Sequence, residues 1–169
     1  MTSNSLLKDR VILAVDDEKD ILDTVAMSLD RCILHKADDF DTASQFLQSY
    51  TYDIVILDIM GVNGFELLKV SVRHGFPTVM LTAHDLNPEA LKKSIRLGAV
   101  SFLPKEKIAD LETFLEDVVL GGGRPVWKKL FDRIGDFFNR RFGQGWDEKD
   151  RFFREFQQEM LRDSDPGTK

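Results

Sequence analysis

Residues 53–68 read DIVILDIMGVNGFELL. The run Ile54, Val55, Ile56, Leu57 has the make-up of a strand buried on both faces, and it stops on a lone acid, Asp58, before a glycine-bearing turn and a new periodic segment. An unpaired carboxylate buried at a strand end is very costly, so Asp58 must be solvated, paired, bound to a metal or used in chemistry.

Four more short apolar runs flank this one: VILAV (11–15), CILHK (32–36), TVML (78–81) and VSFL (100–103), with helical periodicity between them. Such alternation predicts a parallel sheet with helices on both faces. Asn87 followed by Pro88 opens a helix that Gly98 ends. Ile108, Leu111, Leu115, Val118 and Val119 recur at helical spacing and predict a fifth helix, closed by Gly121, Gly122 and Gly123. The triple glycine marks the expected boundary between a domain over 1–120 and an extension over 121–169. In the extension, Trp127, Leu130, Phe131, Ile134, Phe137, Phe138 and Phe142 make one apolar face, and Phe152, Phe153, Phe156, Met160 and Leu161 make another. With GQG between them as a turn, the two segments predict a helical hairpin.

Composition narrows the function. The chain is 43% hydrophobic and 31% charged, as a globular protein is. No apolar run is long enough to span a bilayer, and the opening MTSNSLLKDR lacks the apolar core of a secretory signal, so a cytoplasmic protein is expected. Cys32 is the sole cysteine, which excludes an internal disulfide, and His35, His74 and His84 lack zinc-ligand spacing. Residues 1–120 hold 12 basic against 20 acidic residues and should repel nucleic acid, whereas 121–169 hold 11 against 9.

In an open parallel sheet, ligands bind beyond the carboxyl ends of the strands. Those ends carry Asp16 and Asp17 after the first run, Asp58 after the third, Thr82 after the fourth and Lys105 after the fifth. Clustered carboxylates repel and raise one another's pKa unless a cation joins them, and a hard divalent ion such as Mg²⁺ answers that need. With a metal and an ammonium beside it, Asp58 can attack phosphorus and form an acyl phosphate. Lys105 would neutralise the equatorial oxygens, and Thr82 would hydrogen-bond to one of them. His84, two residues beyond Thr82, is expected at the mouth of this site, where it would influence how long the phosphate survives.

The motifs VDDE (15–18), ILD (56–58), GFELL (64–68), MLTA (80–83) and FLPK (102–105) make residues 10–120 resemble the receiver domain of a response regulator in two-component signalling. The resemblance implies an α/β, flavodoxin-like, doubly wound five-stranded parallel sheet of order 2-1-3-4-5, here followed by the helical hairpin. It implies Asp58 as phosphoacceptor, Asp16, Asp17 and Asp58 as metal carboxylates, and the Met60 backbone carbonyl as a further metal ligand. It also implies Thr82 and Lys105 as phosphate sensors, Phe102 as the switch aromatic, Mg²⁺ as cofactor, and a sensor histidine kinase or phosphotransfer protein as partner. Two departures stand out: the loop between Asp58 and Gly64 is shorter than is usual and has no proline, and Glu106 stands where a proline usually follows the lysine. A cis bond at a non-proline residue costs about 2.5–4 kcal/mol, so the Lys105–Glu106 bond is expected trans and the loop altered.

Rival readings fare worse. A dinucleotide-binding enzyme needs a glycine-rich turn after the first strand, where this chain has DDEKD. A haloacid-dehalogenase-type phosphatase carries a second Asp two residues after its nucleophile, where this chain has Met60. A receiver-like binding module that takes no phosphate is the remaining alternative for the main domain. For the extension, two helices are few for a DNA reader, so a DNA-binding transcriptional output is the lesser expectation. A basic membrane-surface helix is another. The favoured expectation is an association element that buries its apolar faces against one another, the main domain or a second chain in a homodimer.

Overall fold

The structure, a computed structural model, describes residues 6–83 and 86–163; His84 and its expected role lie outside the described residues, as does the side chain of Leu161. Five strands, β1 (Val11–Val15), β2 (Ile33–Ala37), β3 (Ile54–Asp58), β4 (Thr78–Thr82) and β5 (Ser101–Pro104), form one parallel sheet of order β2-β1-β3-β4-β5. Every residue of β3 and β4 is buried, because helices cover both faces of the sheet centre. Asp58 and Thr82 are the last residues of β3 and β4, rather than the first residues beyond them.

Five helices alternate with the strands: α1 (Lys19–Ser28), α2 (Phe40–Ser49), α3 (Gly64–Arg73), α4 (Pro88–Arg96) and α5 (Leu111–Leu120). Local chemistry sets their ends. The Asp39 carboxylate accepts from Thr42 N at 2.7 Å and the Asn87 side chain accepts from Ala90 N at 2.8 Å, so each caps a helix start. Ile108, expected in the fifth helix, lies instead in a 3₁₀ turn over Lys105–Asp110 that precedes α5. The described peptide bonds are trans, that after Lys105 included.

The extension folds as α6 (Trp127–Phe142) and α7 (Arg151–Asp163). α7 starts later than periodicity suggests. Gly143 and Gly145 take positive φ, and Trp146 turns inward, its ring 4.8 Å from Phe153 and 4.9 Å from Phe142. α6 bends at Ile134, whose φ of −131° and ψ of 23° break the helical run.

The hairpin packs on the edge strand β5 and the helices beside it. Val126 N donates to Val100 O at 2.8 Å, which ties the start of the extension to the residue just before β5. Arg133 makes a two-pronged pair with the buried Asp117 of α5, at 2.5 and 3.0 Å. Lys92 of α4 reaches Asp150 at 2.7 Å, and the Arg96 guanidinium lies over the Phe152 ring at 4.8 Å. Trp127, Leu130, Ile134, Phe138, Trp146 and Phe153 are buried and continuous with the core around the sheet. The expected apolar faces therefore cover one another and the α/β unit of the same chain.

Candidate functional site

Strand register assembles the site. Asp58 pairs with Leu81, so Thr82 stands one residue further along the adjacent strand, and Thr82 pairs with Pro104, the residue before Lys105. On the other side of β3, Val15 pairs with Leu57, which delivers Asp16 and Asp17 to the same edge. Ligand oxygens of Asp16, Asp17 and Asp58 lie within 4.8 Å of one another. Asp16, Asp58 and Thr82 are buried, whereas Asp17 is exposed.

Lys105 is the counter-ion of this cluster. Its Nζ lies 2.9 Å from Asp16 Oδ2, 3.2 Å from Asp58 Oδ1 and 2.6 Å from Glu18 Oε1, with its side chain only 9% exposed. Burial alone would lower its pKa, but the hydrogen bonds to Glu18 and Asp16 outweigh that and hold it raised. Asp58 is pushed up to about 6, first by burial and then by the charge of Asp16, which Lys105 only partly offsets. Burial likewise raises Asp16.

The carboxylate set fits a hard cation. Asp16 Oδ1 accepts from Glu18 N at 2.9 Å, and the buried Oδ2 has the Lys105 ammonium beside it at 2.9 Å. Two buried acids that share a single ammonium, and a third acid open to solvent, suit an ion that takes a few carboxylate oxygens and keeps several waters. Gly61 leaves room for this arrangement, since a Cβ there would sit 2.3 Å from the Asp17 carboxyl atoms.

The short loop after Asp58 closes by backbone geometry. Asn63 adopts the left-handed conformation, with φ 56° and ψ 54°, which Asn tolerates better than most residues. Asn63 N donates to Met60 O and Gly64 N donates to Ile59 O, each at 2.9 Å. Gly64 is obligatory, because a Cβ would lie 2.0 Å from the Asp58 carbonyl oxygen. The Met60 carbonyl, expected as a metal ligand, thus accepts one hydrogen bond within the turn and keeps a second lone pair.

Phe102 of β5 is fully buried, and its ring is 6.2 Å from that of Phe138 on α6. Two features escaped sequence reasoning. Glu18 lay inside the quoted VDDE motif but gave no sign that it would share Lys105 with the cluster. Glu106, at the position noted as unusual, pairs with Arg141 of α6.

The family of the response regulator receiver domain matches residues 12–116 of the chain. The two-component response regulator ARR10 of Arabidopsis thaliana is 32% identical over 64% of this chain and 21% of its own length; the regulatory protein VanRc of Enterococcus gallinarum is 31% identical over 62% and 49%. The chain thus spans half or less of these relatives. Among solved structures, NtrX from Brucella abortus shares 31% identity over 76% of this chain and 30% of that one, with a TM-score of 0.60. A CheY-like receiver domain protein from Methanospirillum hungatei shares the fold at 24% identity and a TM-score of 0.58, over 66% of this chain and 94% of that one. No helix among the described residues is long and apolar enough to cross a membrane. Sheet order, the acidic cluster with its lysine and the extent of the match agree: the chain belongs to the response regulator receiver family, a family of signalling domains rather than of classical enzymes, and carries a C-terminal helical extension.

Proposed function

We propose that residues 1–120 act as a phosphoacceptor unit that takes a phosphoryl group on Asp58 from the phosphohistidine of a sensor histidine kinase or phosphotransfer protein. Residues 121–169 would convert that event into altered protein contacts. The observation that carries the reading is Asp58 at 3.2 Å from Lys105 within a cluster of three carboxylates whose ligand oxygens lie within 4.8 Å of one another. Asp16, Asp17, Asp58 and the Met60 carbonyl would hold Mg²⁺. When bound, that ion supplies charge neutralisation for the carboxylates and the incoming phosphoryl oxygens.

An Asp58 carboxylate oxygen forms the new P–O bond as the P–N bond to the donor imidazole breaks, and the imidazole takes up a proton. Lys105 exchanges carboxylate contacts for a phosphoryl oxygen as negative charge moves outward from Asp58. Thr82, at the end of the neighbouring strand, donates its hydroxyl to another. The raised pKa of Asp58 leaves it ionised above about pH 6 and keeps it nucleophilic at neutral pH. Hydrolysis of the acyl phosphate by the same site would reset the signal.

Incubation with acetyl phosphate and Mg²⁺ should add one hydroxylamine-sensitive phosphate to the native protein and none to Asp58→Ala. Label that survives this substitution would place the acceptor elsewhere and overturn the reading.

A further inference from the structure

Three consecutive residues at the start of the 3₁₀ turn face two different parts of the molecule. Lys105 reaches back to Asp16, Glu18 and Asp58. Glu106 pairs with Arg141 near the end of α6, and Lys107 lies over the Phe137 ring at 5.3 Å, with the Arg141 guanidinium 5.2 Å from the same ring. Ile108 packs the turn against the core, while the side chains of Lys105, Glu106 and Lys107 tie it to the acidic cluster and to α6. Lys105 and Glu106 are joined by one peptide bond, with Cα atoms about 3.8 Å apart, so a backbone shift at one moves the other.

The bend at Ile134 divides α6 into halves held differently. The first half is tied to the α/β unit by the Arg133–Asp117 pair and by Val126 N on Val100 O. The second half carries Phe138 over Phe102 and meets the 3₁₀ turn through Phe137 and Arg141. Gly135 follows the bend, with nothing within 4 Å of where a Cβ would be.

We propose that Arg141 is a positioning residue for the phosphoryl site: through Glu106 it holds Lys105 among its carboxylates, so that docking of the second half of α6 opposes phosphorylation and phosphorylation loosens that half. The inference rests on the Asp58 reading above. All three Lys105 ion pairs cannot persist once a phosphoryl oxygen requires the ammonium, and the Glu106–Arg141 pair resists the adjustment of the turn. Coupling of this kind is reciprocal, so what weakens the pair must favour the phosphorylated form by the same factor.

The test measures beryllofluoride affinity in saturating Mg²⁺, together with melting temperature, for the native protein and its Glu106→Gln and Arg141→Gln variants. It adds the charge-swapped double variant Glu106→Arg with Arg141→Glu, and Lys128→Gln as a control on an exposed α6 pair away from the turn. Both single variants should bind about two- to fivefold more tightly, the factor a half-exposed ion pair commands. The swapped pair should return toward the native value, and the control should match it. Native protein that binds while the single variants bind identically, or a swap that restores nothing, overturns the inference and leaves the Asp58 reading standing. Native protein that binds no beryllofluoride removes both. A purely structural role for Arg141 would lower the melting temperature without tightening binding, and that pattern also overturns the proposal.

Discussion

Asp58 is held as a carboxylate at neutral pH against the cost of leaving water. Its folded-state pKa of about 6 lies above the ordinary 3.8, so between those values the folded chain binds the proton more tightly than the unfolded one. The stability linked to this group is therefore full at low pH, falls as pH rises through that window, and stays lost above it. Replacing Asp58 with Asn should raise the melting temperature above pH 7, by about 2–4 °C for each kcal/mol relieved. The gain should vanish near pH 4, and thermal melts across pH would reveal it; a loss of stability at pH 7.5 would contradict the assignment. Gly61 is a second residue with a separable role. In Gly61→Ala the clash falls on the exposed end of the Asp17 side chain, which can turn away, so the fold should survive while Mg²⁺ binding weakens about tenfold or more, as titration calorimetry would show. Gly64→Ala meets backbone instead and should destabilise by about 1–3 kcal/mol.

At the scale of elements, α6 is held by a ring cluster and by ion pairs to Asp117 and Glu106, of which the clamp on Asp117 is the more buried. Phe138 is fully buried among Phe102, Phe131, Phe137, Phe142 and Trp146, so Phe138→Ala should cost about 3–5 kcal/mol and uncover Phe102. Asp117 is buried, whereas Arg133 is partly exposed, so the clamp is asymmetric. Arg133→Ala strands a buried acid and should destabilise by about 1–3 kcal/mol. Arg133→Ala combined with Asp117→Ala should cost less than the sum of the two single changes. Urea melts of the four proteins give the coupling energy, and strict additivity would show that the clamp contributes nothing. The same arrangement ties the residue before β5 to the start of α6, through Val126 N on Val100 O.

For the whole molecule, site and extension share one continuous apolar core, so a ligand at the acidic edge should register in the tail. Mg²⁺ at about 100 times its dissociation constant should stabilise the folded chain by about 2.7 kcal/mol, and Asp17→Asn should remove most of that gain. Without a phosphate mimic, the amides of α6 should be protected nearly as well as those of β4, since Trp127, Leu130, Ile134 and Phe138 are buried with the sheet. Addition of beryllofluoride should raise exchange chiefly after Ile134, and sedimentation would show whether the uncovered face then recruits a second chain. Fast exchange throughout α6 in both states would mean that the docked hairpin does not persist in solution.

The alternation of apolar runs with helical periodicity, and the residue types at successive strand ends, were local enough to be read directly. Asp16, Asp17, Asp58, Thr82 and Lys105 could be named in advance because a parallel sheet sends every strand's carboxyl end to one edge, whatever the loops do. Strand and helix limits shifted by a few residues where side-chain packing competed with propensity, as at Trp146 and Ile108. The docking surface of the hairpin could not be read, because an amphipathic face states that cover is needed without saying which surface supplies it. The pairings that settle it or tune the site are long-range: Glu106 and Arg141 stand 35 residues apart, and Glu18 and Lys105 stand 87 apart. Each of these charges is at home in solvent on its own, so its position in the chain carries no mark of its partner. Only the folded arrangement brings Lys105 to Asp58 and its neighbour Glu106 to the tail.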